Sequence, residues 1–412
     1  MKSVEVKSFV VFVLFSLLVF AVAFILLKDV KWIVDEGPHY FYIQRLLNGD
    51  FIVSQHIAML PGYHVVMAAL AYVLNISSLP SIRFLTMVFT YSSILAFLSL
   101  LFLTKNYAVS PFNKALQYIF FPIYFSHLFL VYTDHFSLLL IFISLYFLFK
   151  QQYTLAGIIG IASCLTRQNN IIWMLFMLVY AYHDKFGFKF SLEILKSSLK
   201  EFWVFLFALC VFWIFVFLND GKVTINNLTG QIHPSFSFHF GNIYFLLFTF
   251  FYLFLPLNIA NRAKINDLVK QNKWVILWLL VFFVFYMLTF VNDNPNNSNP
   301  AGMYYYVNHT MLIIFTSSVF LKVLFFIPIA YSVLSIAVTE LHKKSDYLLY
   351  PFTILFLMPS WMVSTRYHMI PLILFLLFRK ESSKSVEYST IALYMISAAV
   401  LFFGISNHKI FI

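Results

Sequence analysis

Charge is what this sequence has least of. Only 10% of its 412 residues are Asp, Glu, Lys or Arg, while 62% are hydrophobic. A soluble fold of this length needs a far more polar surface, so the composition excludes one. Residues 8–27 and 274–291 carry no charge at all, and runs of roughly 20 apolar residues are what crosses a hydrocarbon core. Cysteine is scarce too. Cys164 and Cys210 both lie in apolar runs, which leaves no disulfide framework or thiolate cluster and makes them packing residues. No Asp-rich metal motif, Gly/Ser linker, soluble domain or internal repeat stands out. Ala21-Val22-Ala23 looks like a cleavage site, but Phe24 to Leu27 continue the apolar stretch, so the first run reads as an uncleaved span.

What is present is a succession of apolar runs. Spans are expected near 8–27, 57–75, 82–103, 115–131, 134–149, 153–166, 168–182, 201–218, 241–259, 274–291, 308–340, 347–363, 367–379 and 388–405. The fold class is therefore all-α: a multi-pass integral membrane protein with about 12 to 14 transmembrane helices in one membrane domain, residues 1–412. The 308–340 run, with Lys322 and Pro328, reads as one tilted helix or two short ones.

The net charge of +11 comes from Lys and Arg gathered in 105–114, 183–200, 261–273, 342–346 and 379–384. Basic short loops mark the cytoplasmic side, so the charge reports topology and implies no nucleic-acid partner. Counting spans from 105–114 onward puts Thr133-Asp134, residues 167–170, the 219–241 loop, residues 292–299 and residues 365–367 on the opposite face, and a cytoplasmic N-terminus puts the acidic pair at 35–36 there too. Two full crossings between 57 and 103 would break this alternation, so either one of them is re-entrant or the two lysines mislead. Residues 183–200, with Lys185, Lys189, Lys196 and Lys200 around Phe186, Phe188, Leu192 and Leu195, read as an amphipathic helix in the inner interface.

The first outer loop, 28–56, places Asp35 and Glu36 directly after the first apolar run. Pro38 suits a first helical turn and Gly49 a left-handed stop, so 38–48 is a predicted short helix. Both carboxylates would then sit at its positive end, which favours the ionised form that a general base needs. Helix capping beside a solvated acid is the plainer reading. Asp134 similarly reads as an N-cap of the following span. Arg167-Gln168-Asn169-Asn170 interrupts two apolar runs; it is either a hairpin with a snorkelling arginine or a cluster facing water, protein or ligand. Arginine suits a phosphate, which it grips through two parallel hydrogen bonds.

The order of these motifs resembles a known family. The acidic pair, Leu60-Pro61-Gly62-Tyr63, Phe121-Pro122, Tyr132-Thr133-Asp134 and above all Thr166-Arg167-Gln168-Asn169-Asn170-Ile171-Ile172-Trp173 are similar to the dolichyl-phosphate-glucose-dependent alpha-1,2-glucosyltransferases. Those enzymes add the terminal glucose of the N-glycan lipid-linked precursor and are class C, multi-span glycosyltransferases. Further along, Phe238 to Tyr244 is similar to the family's His-containing loop, and Thr365 to Pro371 to its late Arg-Tyr motif. Two segments depart from it. Asp293-Asn294-Pro295 and Met303 to Tyr306 lack the arginine of the family's Asp-Asn-Arg-His-Tyr, and Ser364 or Thr365 replaces a glutamate.

The resemblance implies an inverting transfer from a polyprenyl-phosphate sugar donor to a lipid-linked oligosaccharide acceptor, within membrane lipid. The sequence has no Asp-rich motif and an acidic pair alone is a poor octahedral site, so no divalent ion or other cofactor is expected. Asp35 is the expected base, with Glu36 second. Arg366 is the first candidate for the lipid phosphate, followed by Arg167 and His239, and Asp134, Gln168, Asn169 and Tyr367 complete the expected substrate contacts. The compartment would be the endoplasmic reticulum membrane in a eukaryote or the inner membrane in a bacterium, with the site on the non-cytoplasmic face. A transferase of another sugar or acceptor, such as a bacterial surface glycan, and a lipid-sugar transporter are the alternatives.

Overall fold

A computed structural model describes residues 3–54, 57–225, 237–298 and 306–412. Residues 226–236 of the 219–241 loop and the Met303 to Tyr305 stretch lie outside them. The described residues are helical, with two isolated β-bridges, Tyr306 to Phe411 and Leu341 to Arg379. Among the described residues, four helices are long and apolar enough to cross a membrane: Val6–Leu27, Leu79–Thr104, Val319–Val338 and Lys384–Ser406. Two bent pairs raise the number to six if each is one span. Most of the other apolar runs form shorter helices of 10–17 residues, but the expected span 115–131 breaks into Pro111–Ile119 and Pro122–Phe125, and 347–363 holds only the nine-residue helix Leu349–Leu357.

The chain divides into two compact units. The described residues of Met1–Lys105 and His127–Gln231 form the first, and those of Asn106–Ser126 and Ile232–Ile412 the second. In the first unit, helix Ser3–Leu27 leaves Val11, Leu18 and Ile25 more than 60% exposed, as a lipid-facing surface requires. Helix Glu36–Leu47 packs through Tyr42, Ile43 and Leu46 on Tyr63, Met67 and Ala71 of helix Gly62–Val73. That second helix has 12 residues, about 18 Å at 1.5 Å per residue against a core of about 30 Å. At that length it falls short of a straight crossing.

The amphipathic segment is shorter than expected. Helix Ile171–Phe186 runs on until Gly187, at φ +65°, and Leu192–Glu201 then lies at 78° to Trp203–Leu218. A second basic helix, Arg262–Gln271, lies at 103° to Trp274–Thr289 in the second unit. Steep bends of this kind suit amphipathic helices lying along a membrane surface.

The second unit has a phenylalanine core in which Phe245, Phe248, Phe290 and Phe325 pack around Tyr244 and Tyr286. The 308–340 run resolves into two helices, Val307–Thr316 and Val319–Val338, because Ser318 caps the second by accepting from Leu321 N at 3.2 Å. Two charges that the sequence assigns to inner loops are buried here. Arg379 forms a two-pronged ion pair with Glu387, at 2.9 and 2.5 Å, and Lys114 donates to the carbonyls of Asn106, Leu377 and Arg379 at 2.7–3.1 Å.

Candidate functional site

The acidic pair sits on a strained turn. Val34 has φ +48°, a left-handed conformation that a β-branched residue adopts only under constraint. Helix Glu36–Leu47 starts two residues later, with Pro38 in its first turn and Gly49 at φ +80° after its end, much as the sequence predicts. Gly37 is required here. A Cβ at this position would lie 2.9 Å from the Trp32 ring.

The two carboxylates have different surroundings. Glu36 is completely buried and accepts four hydrogen bonds: Arg83 Nε at 2.8 Å, Arg83 Nη2 at 2.6 Å, Ile33 N at 3.0 Å and Val131 N at 3.1 Å. Arg83, equally buried, also donates to the carbonyls of Leu27 and Val30 at 2.8 and 2.7 Å. With each oxygen bound twice, Glu36 has no lone pair left to take a proton and acts as a structural ion pair. Asp35 occupies the N-cap position, half-buried, without a capping hydrogen bond from its side chain, so the capping role does not account for it. One turn on, His39 Nδ1 meets His64 Nε2 at 2.8 Å, and the two buried rings stack at 5.1 Å.

The polar turn lies in the same unit. Arg167 pairs with Asp134, so two expected substrate contacts are brought together, but on each other. That neutralises much of the charge Arg167 could offer a phosphate. Gln168 accepts from Leu60 N at 3.2 Å and donates to the carbonyls of Ala58 and Val223 at 2.9 and 3.2 Å. It staples three segments. Their approach depends on Gly62, where a Cβ would lie 2.5 Å from the Leu165 carbonyl oxygen. Asn170 binds Ser137 and Ser163, whereas Asn169 is half-buried and makes no side-chain hydrogen bond among the described residues.

His239, Arg366 and Tyr367 belong to the second unit. Arg366 and Tyr367 are half-buried in the 3₁₀ turn Thr365–His368 that opens helix Met369–Phe378. His239 precedes helix Gly241–Leu253 and stacks on Trp361 at 5.7 Å. Burial holds its imidazole below the ordinary histidine range, with Asp293 opposing. At neutral pH His239 is therefore a hydrogen-bonding group and not a cation, which leaves Arg366 as the stronger phosphate candidate. No group of three metal-binding side chains occurs among the described residues.

Arg83, the His39–His64 pair and Trp361 are not among the candidates drawn from the sequence. A lone arginine within the 82–103 run was the available signal for the first; the histidines and Trp361 acquire meaning only from their neighbours in space.

Residues 30–190 match the DIE2/ALG10 family model. This is an alpha-1,2-glucosyltransferase family, and the match supports a transferase. It covers Asp35, Glu36, Asp134, Arg167, Gln168 and Asn169; His239, Arg366 and Tyr367 lie beyond it. No curated protein and no solved structure matches the chain. The apolar helices and the DIE2/ALG10 match together support an integral membrane protein.

Proposed function

We propose that the protein transfers glucose from a polyprenyl (dolichyl) phosphate to a lipid-linked oligosaccharide, with inversion, forming an alpha-1,2 linkage. The observation that carries this reading is the DIE2/ALG10 match over residues 30–190, which contains both the acidic pair and the polar turn. Asp35 takes the proton of the acceptor hydroxyl as its oxygen attacks the anomeric carbon. The bond from that carbon to the phosphate oxygen breaks with its electron pair going to the phosphate. No acid is needed for this leaving group, because a phosphate departs readily when a cation offsets its charge. Arg366 supplies that cation, Glu36 and Arg83 hold the turn that aims Asp35, and Asn169 and Tyr367 contact sugar.

On this reading the shorter apolar helices also lie in the membrane, which gives 12 to 14 segments and a site on the non-cytoplasmic face. In a eukaryote that face is the lumen of the endoplasmic reticulum; in a bacterium it is the outer side of the inner membrane. A related transferase with another sugar or acceptor is the second reading, favoured because the match ends at residue 190. The test uses purified protein, labelled polyprenyl-phosphate glucose and a diglucosylated lipid-linked oligosaccharide, beside Asp35→Asn. Wild type should transfer glucose, and the variant should lose about 10²-fold or more in turnover while remaining folded. Near-normal turnover in the variant would remove Asp35 from the mechanism. Donor binding without transfer would move the acceptor elsewhere.

A further inference from the structure

In the second unit, three buried asparagines grip one short stretch of backbone. Asn242 Nδ2 donates to the carbonyls of Ser360 and Met362 at 2.8 and 2.9 Å, and its Oδ1 accepts from Ser364 N at 3.1 Å. Asn297 exchanges two bonds with Val363, at 2.8 and 3.0 Å, and Asn308 donates to the same carbonyl at 3.0 Å. All three side chains are at most 3% exposed. Six hydrogen bonds from three separate elements fix a segment that is neither helix nor strand, and what that segment presents is Trp361.

The indole is itself held. Its N–H donates to Asp293 Oδ1 at 2.7 Å, and His239 stacks on it with 23° between the ring planes. Trp361 and His239 are half-buried and Asp293 is exposed. The buried Nε2 of His239 has no hydrogen-bond partner among the described residues. The arrangement is an oriented aromatic ring flanked by a carboxylate and an unsatisfied imidazole nitrogen.

Each ligand class meets this arrangement differently. A phosphate is disfavoured by the Asp293 charge and by an imidazole that burial keeps neutral. A lipid chain has no use for the two polar groups, and one carboxylate with one imidazole is too few ligands for a metal ion. A saccharide fits all three parts. Its C–H faces carry slight positive charge and lie on the negative face of an indole, while its hydroxyls donate to a carboxylate and exchange hydrogen bonds with an imidazole.

We propose that Trp361, Asp293 and His239 form a sugar-binding platform that receives a saccharide ring of the lipid-linked acceptor. This rests on the transferase reading above and names the side of the reaction that the second unit serves. His239 then contacts acceptor sugar and not donor phosphate. Trp361 lies only five residues before Arg366 in the chain, so the same segment carries the platform and the candidate phosphate cation.

The experiment measures transfer with the acceptor varied at saturating donor, then the reverse, for wild type, Trp361→Phe and Trp361→Ala. Tryptophan fluorescence is recorded as acceptor oligosaccharide is added without donor. Trp361→Ala should raise the acceptor KM about tenfold, the scale of one lost aromatic contact, and leave the donor KM alone. Trp361→Phe keeps a ring without the N–H and should fall between, which guards against an alanine variant that fails to fold. Acceptor should quench wild-type fluorescence but not that of Trp361→Phe.

An acceptor KM within twofold of wild type in both variants overturns the platform, as does an equal rise in donor KM, expected of a mere membrane-interface anchor. Quenching by oligosaccharide that Trp361→Phe abolishes, in a wild type that transfers no glucose, supports the platform and overturns the proposed reaction. A wild type that neither transfers nor is quenched overturns both.

Discussion

Removing Arg83 would strand Glu36 as an uncompensated charge in the protein interior. Both side chains are fully buried and joined at 2.6–2.8 Å, and breaking such a pair from one side costs about 3–5 kcal/mol. Arg83→Met should therefore lower the unfolding midpoint sharply, and Arg83→Met with Glu36→Leu should recover part of the loss because no charge is left behind. Asp35→Asn, by contrast, should cost turnover and little stability. Thermal unfolding of the three variants in one detergent checks this; an Arg83→Met protein as stable as wild type would remove the ion pair from its structural role. The sequence shows the acidic pair but not its division of labour. Glu36 is satisfied by an arginine 47 residues away inside an apolar run, and no local pattern announces such a partner. The same holds for Arg167, whose charge meets Asp134 across 33 residues.

Helices were legible where a local signal starts or stops them. Pro38 and Gly49 bracket the short helix after Asp35, and the break in 308–340 falls at Ser317 and Ser318, where a serine cap outweighs the continuing apolar run. Helix length was less legible, because apolar composition does not distinguish a full crossing from a 12-residue helix packed against its neighbours. Helix Gly62–Val73 is such a case. Its start is pressed against the end of helix Tyr153–Thr166, with a Cβ at Gly62 meeting the Leu165 carbonyl oxygen at 2.5 Å. The neighbouring atom is backbone and cannot step aside. Gly62→Ala should separate the two ends, loosen the Gln168 staple and cost about 1–3 kcal/mol, the range for overpacked contacts. Its measurement is the unfolding midpoint together with transfer activity. If both match wild type, the close approach is not needed for the polar turn.

Two compact units built from four stretches of chain make connectivity a property of the whole molecule. Residues Asn106–Ser126 leave the first unit and become part of the second before the chain returns at His127. Charges hold them there. Gln117 accepts from Arg379 at 2.9 Å and donates to Glu387 at 2.8 Å, inside the buried Arg379–Glu387 pair. Lys114 spends all three of its protons on carbonyls at Asn106, Leu377 and Arg379. These buried groups keep the partners named only while the excursion stays docked, and leaving any of them unpaired is costly. A chain cut between Ile225 and Ser237, expressed as two pieces, should therefore copurify, because the first piece contributes part of the second unit. Lys114→Met with Gln117→Leu should weaken that association, since it removes the donors that anchor the excursion, leaves three carbonyls without the Lys114 ammonium and takes one hydrogen bond from the Glu387 carboxylate, which keeps its pair with Arg379. Affinity purification through a tag on the second piece reads the result directly. Pieces that separate without any substitution would mean that apolar packing and these buried bonds do not bind the excursion into the second unit.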